Sequence, residues 1–454
     1  MADMEKFDAV LEGAQVVTSE GLRRCTIGVR QGRTAALLQP GACVEAEKTW
    51  NFSGKVILPG AIDTHGHINN KEPFDYGTAM AARGGFTTVM EMPMSKFMPN
   101  NDNGQRFEAR KRLIGEQAYV DVALWGAAYP SNLDALQSMA EKGSAGFKIF
   151  TCQAGKNYPH FDDYHLLKLM ELTSGSKSII GIHGENASVC DHLTDQAVGR
   201  GAGPEAFEES RPVVAEAMEA AKVCTMAALT GSRIHICHVT CPEVMEIIRA
   251  AKAVGADVSA ETCIQYLTLT KDDIVRYGAY AKCGPPLRAE EKMHALWKYV
   301  LDGSVDTIGT DGTVYTEADK EGDFWKAASG FPGMDVVLPA LVDEGIHKRG
   351  MSWERLAQLT STCAAERFGL REKGKIARGY DADFVVMSPD EPWIFRAEET
   401  FWKHRCDRFA YQGKCYRGKV AATFVRGQAV YVDGKLTGTK GYGRFVRPQK
   451  EEIR

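Results

Sequence analysis

The sequence predicts an α/β protein: a (β/α)₈ TIM-like barrel joined to a small β-sandwich built from both chain ends. Three observations predict it. Eight short apolar runs alternate with helical patterns through the middle of the chain, the strand count of such a barrel. Both ends read instead as short alternating strands separated by glycine-rich turns. The chain has 454 residues, about three average domains, and a barrel alone absorbs ~250 or more.

Taken in order, residues 1–58 form the N-terminal part of the small β domain, with alternating segments at 7–11, 26–30 and 34–38. The barrel occupies 59–370. Its strands are the runs 56–63, 87–92, 120–127, 146–150, 178–183, 233–239, 257–263 and 306–311, rich in Val, Ile, Thr and aromatics. Helical patterns lie between them, for example at 212–229 and 242–253, and a helix over 353–367 closes the barrel. Residues 371–454 return to strands at 382–387, 420–426 and 429–432, with Asp433-Gly434 as a turn signal, and complete the small domain.

Composition narrows the function classes. Apolar residues make up 44% and charged residues 25%, an ordinary globular balance. Lys plus Arg number 55 against 59 Asp plus Glu, a net charge of −4, which gives no basic surface for nucleic acid. No run approaches the ~20 apolar residues of a membrane helix, and the charged start Met-Ala-Asp-Met-Glu-Lys has no signal-peptide character. Twelve scattered cysteines without a C-x-x-C pair read as reduced, mostly buried thiols of a cytoplasmic protein.

The chemistry gathers at strand ends. His65-Gly66-His67 follows the first run, and two histidines at i and i+2 in extended chain face one side, as capture of one metal ion requires. His183 ends the fifth run, His238 lies near the end of the sixth and Asp311 ends the eighth. Singly, each has an ordinary alternative, a satisfied core histidine or a helix-capping aspartate. Together they place four imidazoles and a carboxylate at one rim of the barrel, a donor set suited to Zn²⁺ or a similar divalent ion. Lys148 sits inside the apolar strand Gly146-Phe147-Lys148-Ile149-Phe150, where an ammonium is costly unless its amine reaches solvent. Burial favours the neutral amine, which can react with CO₂ to give a carbamate whose two oxygens can bridge two metals.

With these residues in place, the chain resembles the cyclic amidohydrolases: allantoinase, hydantoinase, dihydropyrimidinase and dihydroorotase. The resemblance runs almost full length. It rests on Pro59-Gly60-Ala61-Ile62-Asp63-Thr64-His65-Gly66-His67, Gly84-Gly85-Phe86-Thr87-Thr88, Glu91-Met92-Pro93 and Gly146-Phe147-Lys148. It continues through His183-Gly184-Glu185-Asn186, His238-Val239-Thr240, Glu261-Thr262-Cys263, Pro285-Pro286-Leu287-Arg288 and Thr310-Asp311. Lys373-Gly374-Lys375-Ile376 and Asp381-Ala382-Asp383 extend it into the tail. The pattern is most similar to allantoinase in Glu-Met-Pro, His-Gly-Glu-Asn-Ala and the Lys282-Cys283 before Pro-Pro.

The resemblance implies two divalent ions, Zn²⁺ first, bridged by hydroxide and an N6-carboxylysine at Lys148. His65, His67 and Asp311 would hold one ion, and His183 and His238 the other. Asp311 would act as general base and then general acid while a small uncharged cyclic amide or ureide is opened. A homotetramer is the implied assembly.

The departures from the family concern substrate. Asn69 stands where dihydroorotases carry a carboxylate-binding Arg, which argues against dihydroorotate. Gly312 replaces the His usual after the catalytic Asp of allantoinases, and Gln265-Tyr266 stands for His-Tyr. Gln153 takes the place of a hydantoinase Tyr, and Gly284 that of a substrate-contacting Ser. The loop after His67 is also short and begins Ile68-Asn69-Asn70-Lys71. Asn69, Gln153 and Gly284 are therefore the candidate specificity positions. Allantoin is the first-choice substrate, and hydantoins, dihydropyrimidines or cyclic imides are the alternatives. A non-catalytic scaffold relative would have lost metal ligands, whereas all six positions are present here.

Overall fold

The computed structural model describes residues 6–96, 98–155, 157–176 and 178–449; the charged start, apart from Lys6, lies outside them. Eight parallel strand positions form the centre. They are β1 (Ala61–His67), β2 (Phe86–Glu91), β3 (Asp121–Leu124 with Gly126–Ala127) and β4 (Gly146–Phe150). The ring continues with β5 (Ile179–His183), β6 (Arg233–Ile236), β7 (Val258–Cys263) and β8 (Thr307–Gly309 with Gly312–Thr313). Each pairs in parallel with the next, and the second part of β8 pairs with β1, so the ring closes. The ladder changes hands at two interruptions, Trp125 in β3 and Thr310-Asp311 in β8. Trp125 is fully buried, and its indole donates to the Thr64 carbonyl at 3.1 Å. A Cβ at Gly146 or Gly181 would lie 2.6 or 2.9 Å from that ring, so glycine in β4 and β5 makes room for it.

Several sequence expectations need correction in detail. The run 56–63 is two elements, because its first half feeds a different sheet. Val56–Pro59 pairs with Phe384–Ile394 in the sandwich, and β1 begins only after Gly60. The His-x-His pair consequently lies inside β1 rather than after it. The sixth strand stops at Ile236, short of the expected 239, so His238 lies two residues beyond it with φ 42°. The closing helix over 353–367 is present but contains a π-helical stretch at Gln358–Thr362, between Trp353–Ala357 and Cys363–Phe368.

The small domain draws on both ends. A four-stranded sheet runs Arg33–Leu38, Thr26–Arg30, Lys6–Glu12, Glu45–Asn51. A seven-stranded sheet joins Gly21–Arg24, Gln15–Thr18 and Val56–Pro59 edge to edge with four C-terminal strands, Val56–Pro59 pairing with Phe384–Ile394. Leu11, Val16, Ile27, Ile57, Phe384 and Phe424 share one buried core, which is why the two sequence-distant pieces fold as one layer pair. The tail motif ties this layer to the barrel. Buried Lys373 donates to Asp121, at the start of β3, at 2.8 Å and to Asp383 at 2.6 Å, with Asp381 at 3.2 Å. Burial opposes its charge, but the three carboxylates outweigh burial and hold the ammonium protonated. Lys373→Met leaves those carboxylates buried without it and is expected to destabilise the protein by about 3–5 kcal/mol, measured as a lowered urea midpoint. An unchanged midpoint would show that the cluster is not a tie.

The cysteines are free and mostly buried, with Cys43 and Cys415 exposed. Among the described residues no helix is long and apolar enough to cross a membrane.

Candidate metal centre and active site

The C-terminal ends of the strands converge as the sequence expects, because a parallel ring puts all eight ends on one face. His65, His67 and Asp311 lie with ligand atoms mutually within 4.8 Å. Asp311 Oδ1 is 3.4 Å from His65 Nε2 and 3.2 Å from His67 Nε2. The His238 ring centroid is 5.3 Å from that of His65 and 4.6 Å from that of His183. Lys148 projects from β4 among them. It is 2% exposed, and among the described residues its Nζ has no hydrogen-bond partner.

Outer partners set each ligand's orientation. Glu261, from β7, accepts from His65 Nδ1 at 2.8 Å, from Thr64 Oγ1, and from His235 Nε2 at 3.3 Å, which leaves His65 Nε2 for an ion. Asp63 accepts from the His65 amide at 3.0 Å and from Thr310 N and Oγ1 at 3.0 and 2.7 Å. It thereby pins β1 to the break in β8 that turns Asp311 inward. Asp311 takes φ 45° there, and its amide donates to the His65 carbonyl at 2.9 Å. On the other side His183 Nε2 lies 2.6 Å from Glu185, which Arg211 grips with Nε at 2.9 Å and with its second nitrogen.

The electrostatics suit ligation. Burial, aided by the Lys148 charge, pushes His65 down to about 4. Burial also lowers His183 and His238, so these imidazoles are neutral at pH 7, the form that binds metal. Burial would raise Asp311, but His65, His67 and Lys148 together outweigh it and hold the carboxylate ionised. The donor set therefore fits a divalent pair. The unpartnered buried amine of Lys148 fits conversion to a carbamate, whose two oxygens would give it partners.

The ligands floor a cavity of about 600 Å³. All six expected metal positions line it, as do Gln153 and Gly284. Asn69 does not. Its side chain is buried and donates to the Glu72 carbonyl at 2.9 Å, while the next residue, Asn70, faces the cavity. Glu91 causes this by accepting the amides of Ile68 and Asn69 at 2.7 and 3.0 Å, which fixes the turn after His67. Sequence reasoning also missed Asn70, Tyr158, Tyr315 and Trp325 on the walls, and Arg211 behind His183. The buried carboxylates Asp63, Glu185 and Glu261 did carry a signal, since each lies within a motif, although their bonding to the ligands was not legible.

Comparison with known proteins agrees with this geometry. The amidohydrolase family model matches residues 56–430. The chain is 36% identical over 460 residues to an allantoinase of Rubrobacter xylanophilus, covering 99% of each protein. It is 35% identical over 451 residues to one from Deinococcus radiodurans, covering 98% of this chain and 99% of that protein. Among solved structures, the L-hydantoinase (dihydropyrimidinase) of Arthrobacter aurescens superposes with a TM-score of 0.93 at 31% identity, covering 97% of this chain and 100% of that one. A D-hydantoinase from Thermus sp. gives 0.89 at 26%, covering 97% and 99%. Full-length relatives, a matching fold and a family model spanning most of the sequence place the chain, by descent as well as by geometry, in the amidohydrolase family.

Proposed function

We propose that the protein is a binuclear metal-dependent hydrolase that opens a cyclic ureide or amide ring, with allantoin to allantoate as the first choice. The observation that carries this is the meeting of four histidines, Asp311 and the unpartnered buried Lys148 at the mouth of one barrel. His65, His67 and Asp311 would hold one ion, His183 and His238 the other, and carboxylated Lys148 would reach both. Held there, the ions, Zn²⁺ first, would supply Lewis acidity for water activation and carbonyl polarisation. Asp311, kept ionised, takes the proton of the attacking water and returns it to the leaving ring nitrogen. Barrel residues 59–370 carry this chemistry, and residues 1–58 and 371–454 serve as the supporting domain.

The walls bear on the substrate. Asn70, Gln153, Asn157, Tyr158 and Tyr315 offer amide and hydroxyl groups to a ring substituent, which supports a ureido group over a purely apolar one. Gln153 and Gly284 remain the specificity positions, and Asn70 takes the place of Asn69. A hydantoin, dihydropyrimidine or cyclic imide is the second reading, since Phe150, Phe207 and Trp325 also line the cavity. Free buried thiols support a cytoplasmic location, and the family resemblance supports a homotetramer.

Purified protein assayed on allantoin, hydantoins, dihydrouracil and cyclic imides, alongside elemental analysis, tests both levels. The expected result is close to two divalent ions per chain and the highest kcat/KM on allantoin. Rates on allantoin no higher than buffer would overturn the substrate while leaving the chemistry standing; no bound metal and no carboxyl mass increment on Lys148 would overturn the chemistry.

A further inference from the structure

The cavity has one wall without regular structure. Between the helix Glu317–Lys320 and the helix Val337–Ala340 no residue is helical or extended, yet 325–330 all line the cavity. Loops of this length inside a compact domain need something to hold them. Two buried lysines do so. Lys282 Nζ donates to the carbonyls of Phe324, Trp325 and Ala327 at 2.8, 3.1 and 2.9 Å. Lys320 Nζ donates to Ala279 and Ala328 at 3.1 and 2.7 Å, and to Gly330. Both residues are almost fully buried, and the carboxylates of Asp323 and Asp319 act on them only through space, as minor influences.

The arithmetic of donors matters. An ammonium has three N–H groups, and each of these amines has three carbonyl acceptors. Lys282 lines the cavity, but with all three donors engaged it has none left for a substrate. Burial pulls both amines down, Lys282 to about 8 and Lys320 to about 7, and the converging carbonyl dipoles, in place of hydration water, are what favour the protonated form and commit its donors to backbone. Aromatic faces complete the surroundings: Phe324 lies 4.9 Å from Lys282 Nζ, and Tyr315 5.0 Å from Lys320 Nζ. The Gly330 amide also returns to the Lys282 carbonyl at 2.8 Å, and the Trp325 indole anchors the segment to the Ala202 carbonyl at 2.7 Å.

We propose that Lys282 and Lys320 are positioning residues for ring hydrolysis: their ammonium groups gather the backbone carbonyls of 324–330 and so shape the wall that meets the ring substituent. The catalytic half of this rests on the function proposed above; the structural half does not. A planar guanidinium cannot reproduce three convergent donors, and an apolar side chain leaves buried carbonyls unpaired.

The test compares Lys282→Ala and Lys320→Met with wild type by hydrogen exchange of the 324–330 amides, by steady-state kinetics and by metal content. The expected result is exchange faster by about tenfold or more, KM for the ring substrate raised about tenfold, and kcat within about threefold at unchanged metal content. Added n-propylammonium should restore slow exchange and KM in Lys282→Ala by occupying the vacated carbonyl trio. Unchanged exchange in both variants, or loss of kcat at constant KM, overturns the proposal. If neither variant folds, the wild-type protein decides: its 325–330 amides must be protected like those of a helix, and free-chain exchange rates overturn the clasp. Failure of the substrate reading shows separately, as wild-type inactivity on every ring compound with exchange still protected.

Discussion

Lys148→Ala is expected to lower turnover of the ring substrate by at least about 10³-fold while the protein remains folded. Lys148 is buried and among the described residues its amine has no hydrogen-bond partner, so truncation removes an unsatisfied group along with its packing. The two effects oppose each other, so in metal-free protein the melting temperature should move little. What is lost is a group that acts electrostatically on His65, His183, His238 and Asp311 alike. If that position is occupied by a carbamate, metal content should fall with activity. Acetate or propionate should restore part of both, because a free carboxylate fits the space vacated by the side chain. The intact protein should carry the mass increment of one carboxyl group on Lys148. Full turnover by the alanine variant would falsify the bridging role.

Asp311→Asn should cost about 10²–10⁴-fold in kcat, the usual range for loss of a general acid–base group. The substitution is unusually clean at this position. Asp311 sits at φ 45°, a conformation that Asn tolerates better than most residues, so the backbone turn survives while the ionisable group is removed. Asn can still offer an oxygen toward His65 and His67 but cannot hold a proton between attack and departure. The ascending limb of the pH–rate profile should disappear, since it reports an ionised carboxylate. A variant that kept more than a tenth of wild-type turnover, with that limb intact, would move the proton-carrying role to another group.

The sequence exposed the candidate centre because a metal-ligand set would restrict residue type and strand ends restrict position. His65, His67, His183, His238 and Asp311 are each tied to the C-terminal end of an apolar run, and parallel strands carry all such ends to one face. Lys148 stood out for the same reason, as a cation inside a run where none is expected. The same run-based reading misjudged 56–63, because the strand Val56–Pro59 of the sandwich and the first residues of the barrel strand Ala61–His67 look alike as apolar sequence. It also chose Asn69 over Asn70. Adjacent residues face opposite ways, and the choice between them is made by Glu91, which holds the amides of Ile68 and Asn69 from another strand.

By itself, then, the sequence determined the barrel, the split small domain and which six residues are candidate ligands, since each follows from local pattern repeated along one chain. Tertiary structure alone decided what stands behind and around them. Arg211 reaches Glu185 across 26 residues of sequence, Glu261 reaches His65 across 196, and Lys282 reaches the 324–327 carbonyls from a different loop. Such pairings are set by which surfaces meet when the ring closes, and a hydrogen bond between distant segments leaves no periodic trace in either one.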